Sequence, residues 1–207
     1  MPLIVTTNLN QNSIFALWKI TEPKQLLQSQ LDSQFKDDGL NKNDNLHWLA
    51  SRVLLSALFS NQNVLLSKDE FNKPSLFVNA IPFYVSISHS YAYAAVIVNS
   101  QSVVAVDIEK IDNRMFRVAH KFRRADEFFG PLDLQSTYLT VIWSAKETLY
   151  KHYATKGLDF LANLRISSFE YQPSDFFIEG TIQKDNYKEV VTIKVMSFEG
   201  YIITVAA

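Results

Sequence analysis

The sequence predicts an α+β fold in which helices are interspersed with antiparallel strands. Three observations carry this reading. Apolar residues recur at helical spacing over residues 45–61 and 133–156. Residues 83–88 alternate apolar and polar side chains, and four further strand-like runs follow residue 157. Hydrophobic residues make up 47% of the 207-residue chain and charged residues 20%, enough for a packed core, so whole-chain disorder is excluded.

The elements follow in chain order. Residues 13–20 carry Ile14, Phe15, Ala16, Leu17 and Trp18 and read as a strand. Residues 22–34 read as a helix, with Leu26, Leu27 and Leu31 at helical spacing. Asp44 or Asn45 can cap the next helix, whose apolar face holds Leu46, Leu49, Ala50, Val53, Leu54, Ala57 and Leu58. Residues 68–82, with two prolines, read as a loop. In the next strand Phe83, Val85 and Ile87 are expected inward, and Tyr84, Ser86 and Ser88 outward. Residues 92–98 and 102–108 read as two strands, and the short Asn99-Ser100-Gln101 connection suggests a hairpin. Residues 112–129 form a basic, helical stretch, and 133–156 is the strongest helix. The last four strands are expected at 165–171, 176–182, 189–196 and 201–206. A division near residue 100 gives two halves, 1–100 and 101–207.

Composition narrows the function. Twenty Lys and Arg against 21 Asp and Glu leave a net charge of −1, which argues against a nucleic-acid partner. With no Cys there is no disulfide framework, thiolate metal site or Cys nucleophile. Only 5 Gly are present, and neither glycine-rich phosphate-loop motif occurs. Phosphate binding must therefore use side chains, a metal or helix ends. Residues 1–6 lack the charged start of a signal peptide. The longest apolar run, 92–98, falls far short of the ~20 residues of a membrane span. A cytoplasmic protein without membrane contact is expected.

Four short motifs carry chemistry. In 103–109, Val-Val-Ala-Val-Asp-Ile-Glu, Asp107 and Glu109 lie two apart and share one face of a strand. Two such carboxylates are either solvated at a strand end or held by a hard cation such as Mg²⁺. In 143–151, Trp-Ser-Ala-Lys-Glu-Thr-Leu-Tyr-Lys, Glu147 and Lys151 share a helix face, as a surface ion pair or as a site. Ser88-His89-Ser90 ends a strand, where a histidine can donate to a phosphate or to backbone. Lys73 is biased towards extended backbone by Pro74, and Arg52, in an apolar helix, is either a phosphate clamp or a snorkelling side chain.

In this order the motifs resemble those of the 4′-phosphopantetheinyl transferases, of the larger single-chain type that activates peptide and fatty acid synthases. The resemblance spans residues 45–166. It implies two similar α/β halves with antiparallel sheets, packed as a pseudo-dimer within one chain, with coenzyme A in the cleft between them. It implies Mg²⁺ bound by Asp107, Glu109 and Glu147. Lys151, His89 and Ser88 would meet the coenzyme A phosphates, and Lys73 and Arg52 the nucleotide end. Glu127 is similar to an acid that helps deprotonate the acceptor serine; Glu147 and a metal-bound water are the alternatives. Asp107, Glu127, Glu147 and Lys151 make up the expected catalytic set. Ala105 stands where the family has Gly, and the first 40 residues lie outside the resemblance.

The implied reaction moves the phosphopantetheine arm of coenzyme A to a serine of an apo acyl or peptidyl carrier protein, releasing adenosine 3′,5′-bisphosphate. A monomer is expected. Arg114, Arg117, Lys121 and Arg124 would fall on one helix face, as a solvated basic face or as a dock for an acidic carrier. Two other functions compete: a coenzyme A- or carrier-binding protein of this fold without turnover, and an unrelated Mg²⁺-dependent pyrophosphate hydrolase. The second leaves the helix motif and the Ser-His-Ser turn unexplained.

Overall fold

The computed structural model describes residues 3–31, 35, 45–68, 73–127 and 130–207. It divides into two units, residues 1–104 with Ala207, and Ala105–Ala206. Each has one antiparallel sheet, and the described residues hold four α-helices in all, an α+β arrangement.

In the first unit, six strands run in the order β1-β2-β6-β5-β4-β3. They are β1 (Leu3–Asn8), β2 (Ser13–Lys19), β3 (Val64–Lys68), β4 (Pro74–Val78), β5 (Ile81–Ser90) and β6 (Tyr93–Asn99). Helix α1 (Lys24–Gln30) is shorter than the 22–34 expected; residues 32–34 lie outside the described residues. Only one face of it is covered, because Leu27 is buried while Leu26 is 43% exposed. Helix α2 (Leu46–Leu58) starts where expected. Asn45 caps it, its side chain accepting the backbone N–H groups of His47 and Trp48; Asp44 lies outside the described residues. Leu49, Ala50, Leu54 and Leu55 pack against Ala16, Trp18, Ala94 and Val96 in the core of this unit.

Of the expected loop at 68–82, residues 69–72 lie outside the described residues, and most of the rest is strand. Pro74 is the first residue of β4, where the missing N–H costs least. Asn79 and Ala80, both at positive φ, turn the chain between Val78 and Ile81, a two-residue hairpin without the usual glycine. In β5, Phe83, Val85 and Ile87 join the core and Tyr84 is exposed, as expected, but the two serines depart from the pattern. Ser86 and Ser88 are buried like Val85, because both faces of β5 are covered there.

The expected hairpin across residues 99–101 does not form. Strand β6 belongs to the first sheet, whereas β7 (Ala105–Lys110) pairs with the last strand of the second. Asn99 folds its side chain back to accept the N–H groups of Gln101 and Ser102, an Asx turn that redirects the chain instead of reversing it.

The second sheet runs β7-β11-β10-β9-β8. Its later strands are β8 (Leu164–Ile166), β9 (Phe176–Lys184), β10 (Tyr187–Phe198) and β11 (Tyr201–Ala206). Helix α4 (Gln135–Tyr153) lies on this sheet. Leu139, Ile142, Ala145 and Leu149 join Ile178, Ile193, Val195 and Ile202 in its core. Each fully buried Leu or Ile there contributes about 1.5–3 kcal/mol. The approach is closest at Gly180, where a Cβ would meet Leu149 at 2.7 Å. Ala154 ends α4 in the left-handed conformation at φ 58°. Residues 128 and 129 of the helix expected over 112–129 lie outside the described residues; the rest is instead a short α3 (Met115–Val118), a 3₁₀ turn (Ala119–Lys121) and further turns.

Candidate active site

Strand β7 and helix α4 pack together and bring their charged residues onto common ground. Asp107 and Glu109 project from one face of β7, as the two-residue spacing requires. Trp143, Glu147 and Lys151 recur every four residues along α4 and so share one of its faces. The Lys151 ammonium donates to Asp107 Oδ1 at 2.8 Å and to the Val106 carbonyl at 3.0 Å. The Trp143 indole N–H donates to Glu109 Oε1 at 3.0 Å. Burial raises the Glu147 carboxyl to about 7, helped by the negative charges of Asp107 and Glu109 and opposed by Lys151. Three carboxylates thus lie in one electrostatic neighbourhood, and the third ionises at a cost.

Glu127 has a different setting. It is 4% exposed and forms an ion pair with Lys146, which is fully buried. Lys146 Nζ also donates to the carbonyls of Phe122 and Phe160, at 2.7 and 3.0 Å. The backbone N–H of Ile166 donates to Glu127 Oε1 and that of Arg124 to Oε2. Both oxygens are therefore engaged. Burial lowers the Lys146 pKa, and the Glu127 carboxylate works against that shift. Sequence reasoning missed this role of Lys146: its position in the motif is visible, but nothing in the spacing says that it turns away from Glu147 and into the core.

The four basic residues do not share one helix face, because α3 ends at Val118. Arg114 bonds Asp112, and Arg124 donates to Asp126 and to the Leu161 carbonyl. Arg117 and Lys121 are exposed.

In the first unit, Arg52 is 6% exposed. Its guanidinium lies 4.5 Å from the Trp48 ring centre and donates to Ser51 Oγ at 3.1 Å. That is a stacked, enclosed cation more than a snorkelling one. Lys73 immediately precedes β4 and is half-buried. Near the end of β5, Ser88 is buried and His89 is exposed. The His89 ring stacks on that of His47, a residue the sequence did not single out.

A family model of the 4′-phosphopantetheinyl transferase superfamily matches residues 103–206. The chain belongs to this superfamily. No curated protein matches it. Membership implies phosphopantetheinyl transfer to carrier proteins, and these transferases typically use coenzyme A and Mg²⁺. The matched segment contains β7, α4 and β11, and Asp107, Glu109, Glu127 and Glu147 all fall within it.

The donor chemistry of the second unit fits a hard cation. Asp107, Glu109 and Glu147 offer only oxygen ligands, the kind Mg²⁺ prefers, and their mutual repulsion is what a divalent cation relieves. Among the described residues, no three His, Asp or Glu side chains are already gathered closely enough to enclose a metal. Lys151 donates to Asp107 Oδ1, one of the oxygens such a cation would meet.

Proposed function

We propose that this chain transfers the 4′-phosphopantetheine arm of coenzyme A to a serine hydroxyl of an apo acyl or peptidyl carrier protein, as a single-chain enzyme of the larger type. The observation that supports this best is the shared electrostatic setting of Asp107, Glu109 and Glu147 beside Lys151, within the segment that matches the family. We take the metal ligands to be Asp107, Glu109 and Glu147. Bound there, Mg²⁺ would neutralise charge on the pyrophosphate of coenzyme A.

The chain's own residues do the rest. The serine oxygen attacks the phosphorus that carries the pantetheine arm. A new P–O bond forms as the bond to the leaving phosphate breaks, and adenosine 3′,5′-bisphosphate departs with the electron pair. Lys151, released from Asp107, supplies positive charge where that group gains negative charge. Of the two acidic proton acceptors, Glu127 has both oxygens engaged, and its ion pair with Lys146 supports a holding role for it. Glu147 is the other candidate: burial raises its carboxyl to about 7, more basic than an ordinary glutamate. Ser88, His89, Lys73 and Arg52 are proposed to receive coenzyme A phosphates. For Arg52, burial against Trp48 makes a packing role a competing assignment. Arg117 and Lys121, with Arg114 and Arg124 beside them, are proposed to meet an acidic carrier.

The test is mass spectrometry of an apo acyl carrier protein after incubation with the chain, coenzyme A and Mg²⁺. A mass gain of one phosphopantetheine arm, abolished by chelator, is expected. Coenzyme A binding without any gain, on acyl and peptidyl carriers alike, would favour a binding protein without turnover.

A further inference from the structure

His47 stacks on His89, and the proposed chemistry leaves His47 unused. Their ring centres are 4.3 Å apart and the planes differ by 2°. His47 sits in the first turn of α2, where Asn45 Oδ1 accepts its backbone N–H at 2.9 Å. Its ring Nε2 lies 2.6 Å from the Tyr91 carbonyl oxygen. A carbonyl only accepts, so Nε2 carries the proton. Tyr91 belongs to the two-residue turn between Ser90 and Tyr93 and holds a positive φ of 48°. Such a conformation is costly for a non-glycine residue and persists only when its surroundings enforce it.

The arrangement is a bracket. One end is fixed by the capped start of α2, and the other grips the turn that follows His89. The flat ring of His47 covers one face of the His89 ring. Parallel rings direct their nitrogens edgewise, so the two do not converge on a metal ion. Burial lowers the His47 pKa, which favours the neutral ring in that position.

We propose that His47 is a positioning residue for His89, fixing the ring plane in which His89 meets a coenzyme A phosphate. This rests on the reading of His89 as a phosphate contact. His89 is exposed on β5, and the stack on His47 sets the plane of its ring. A ring plane set before the ligand arrives lowers the ordering cost of binding.

The experiment is a double-mutant cycle on the intact chain, with coenzyme A affinity measured by calorimetry and KM and kcat measured alongside. His47→Ala is expected to weaken coenzyme A about three- to tenfold, the worth of one aromatic contact. The loss is expected in KM more than in kcat, and to vanish in a His89→Ala background. His47→Phe, which keeps a ring against His89, is expected to retain most of the affinity; His47→Gln, which keeps only a donor for Tyr91, is expected to lose it. An equal loss from His47→Ala with and without His89 overturns the proposal, as does a better result for Gln than for Phe. If His89→Ala weakens coenzyme A and His47→Ala does not, the positioning role alone fails. If His89→Ala has no effect on affinity, the phosphate reading of His89 fails and the positioning role with it. The Phe and Gln variants decide the matter if the Ala variant does not fold.

Discussion

Glu147 should make the metal-free protein less stable as the solution becomes less acidic. Its carboxyl titrates at about 7 in the folded chain, against 4.5 for an unperturbed glutamate. Between these values the folded state holds a proton that the unfolded state has released. Stability therefore falls as pH rises through that window. A shift of about 2.5 units corresponds to about 3 kcal/mol, and partial solvent access trims this to about 2–3 kcal/mol. Glu147→Gln removes the ionisation and keeps the shape. Urea unfolding of both proteins in EDTA, at pH 5 and at pH 8, measures the effect. The variant's advantage over the parent is expected to grow by about 2–3 kcal/mol between those pH values. Adding Mg²⁺ at a hundred times its Kd should return about 2.7 kcal/mol to the parent at pH 8 and much less to the variant. A stability difference that does not change with pH would refute the argument, because it would mean that burial and the neighbouring acids do not raise this carboxyl.

Asp107→Ala is expected to abolish carrier modification in the mass assay while the thermal transition stays within a few degrees of the parent's. Lys146→Met should cost about 3–5 kcal/mol in urea unfolding, because Glu127 then remains charged and buried without its cation. Gly180→Ala should cost about 1–3 kcal/mol by the same measurement, since its Cβ would enter the space of Leu149. Arg117→Glu with Lys121→Glu is expected to raise KM for the carrier and leave that for coenzyme A unchanged.

Long-period patterns were legible and local backbone choices were not. Helix α4 follows from its apolar repeat, and Asn45 was one of two expected caps because a cap needs only a short polar side chain before an apolar run. The segment at 68–82 hides its strands behind two prolines and an Asn-Ala turn, which lacks the glycine that usually announces a hairpin. The break of helix after Val118 was equally hidden. Its driving force is tertiary: Lys146 draws in the Phe122 carbonyl, and Glu127 holds the Arg124 N–H. In the site, the i,i+2 and i,i+4 spacings place Asp107 with Glu109 and Glu147 with Lys151, since they depend only on element type. The Lys151–Asp107 contact and the His47–His89 stack join residues 44 and 42 positions apart, beyond the reach of any local pattern.

The buried Lys146 ammonium has a consequence for how this part of the molecule opens. It ties α4 to the carbonyls at 122 and 160 and, through Glu127, to the amides at 124 and 166. Three stretches of chain far apart in sequence hang on one charged group, and none can leave without stranding it. Residues 122–127 and 160–166 should therefore exchange their amide hydrogens as one cooperative unit with α4, by sub-global unfolding and not by fraying. The basic residues just upstream are thus anchored at their C-terminal end to α4, the longest helix among the described residues.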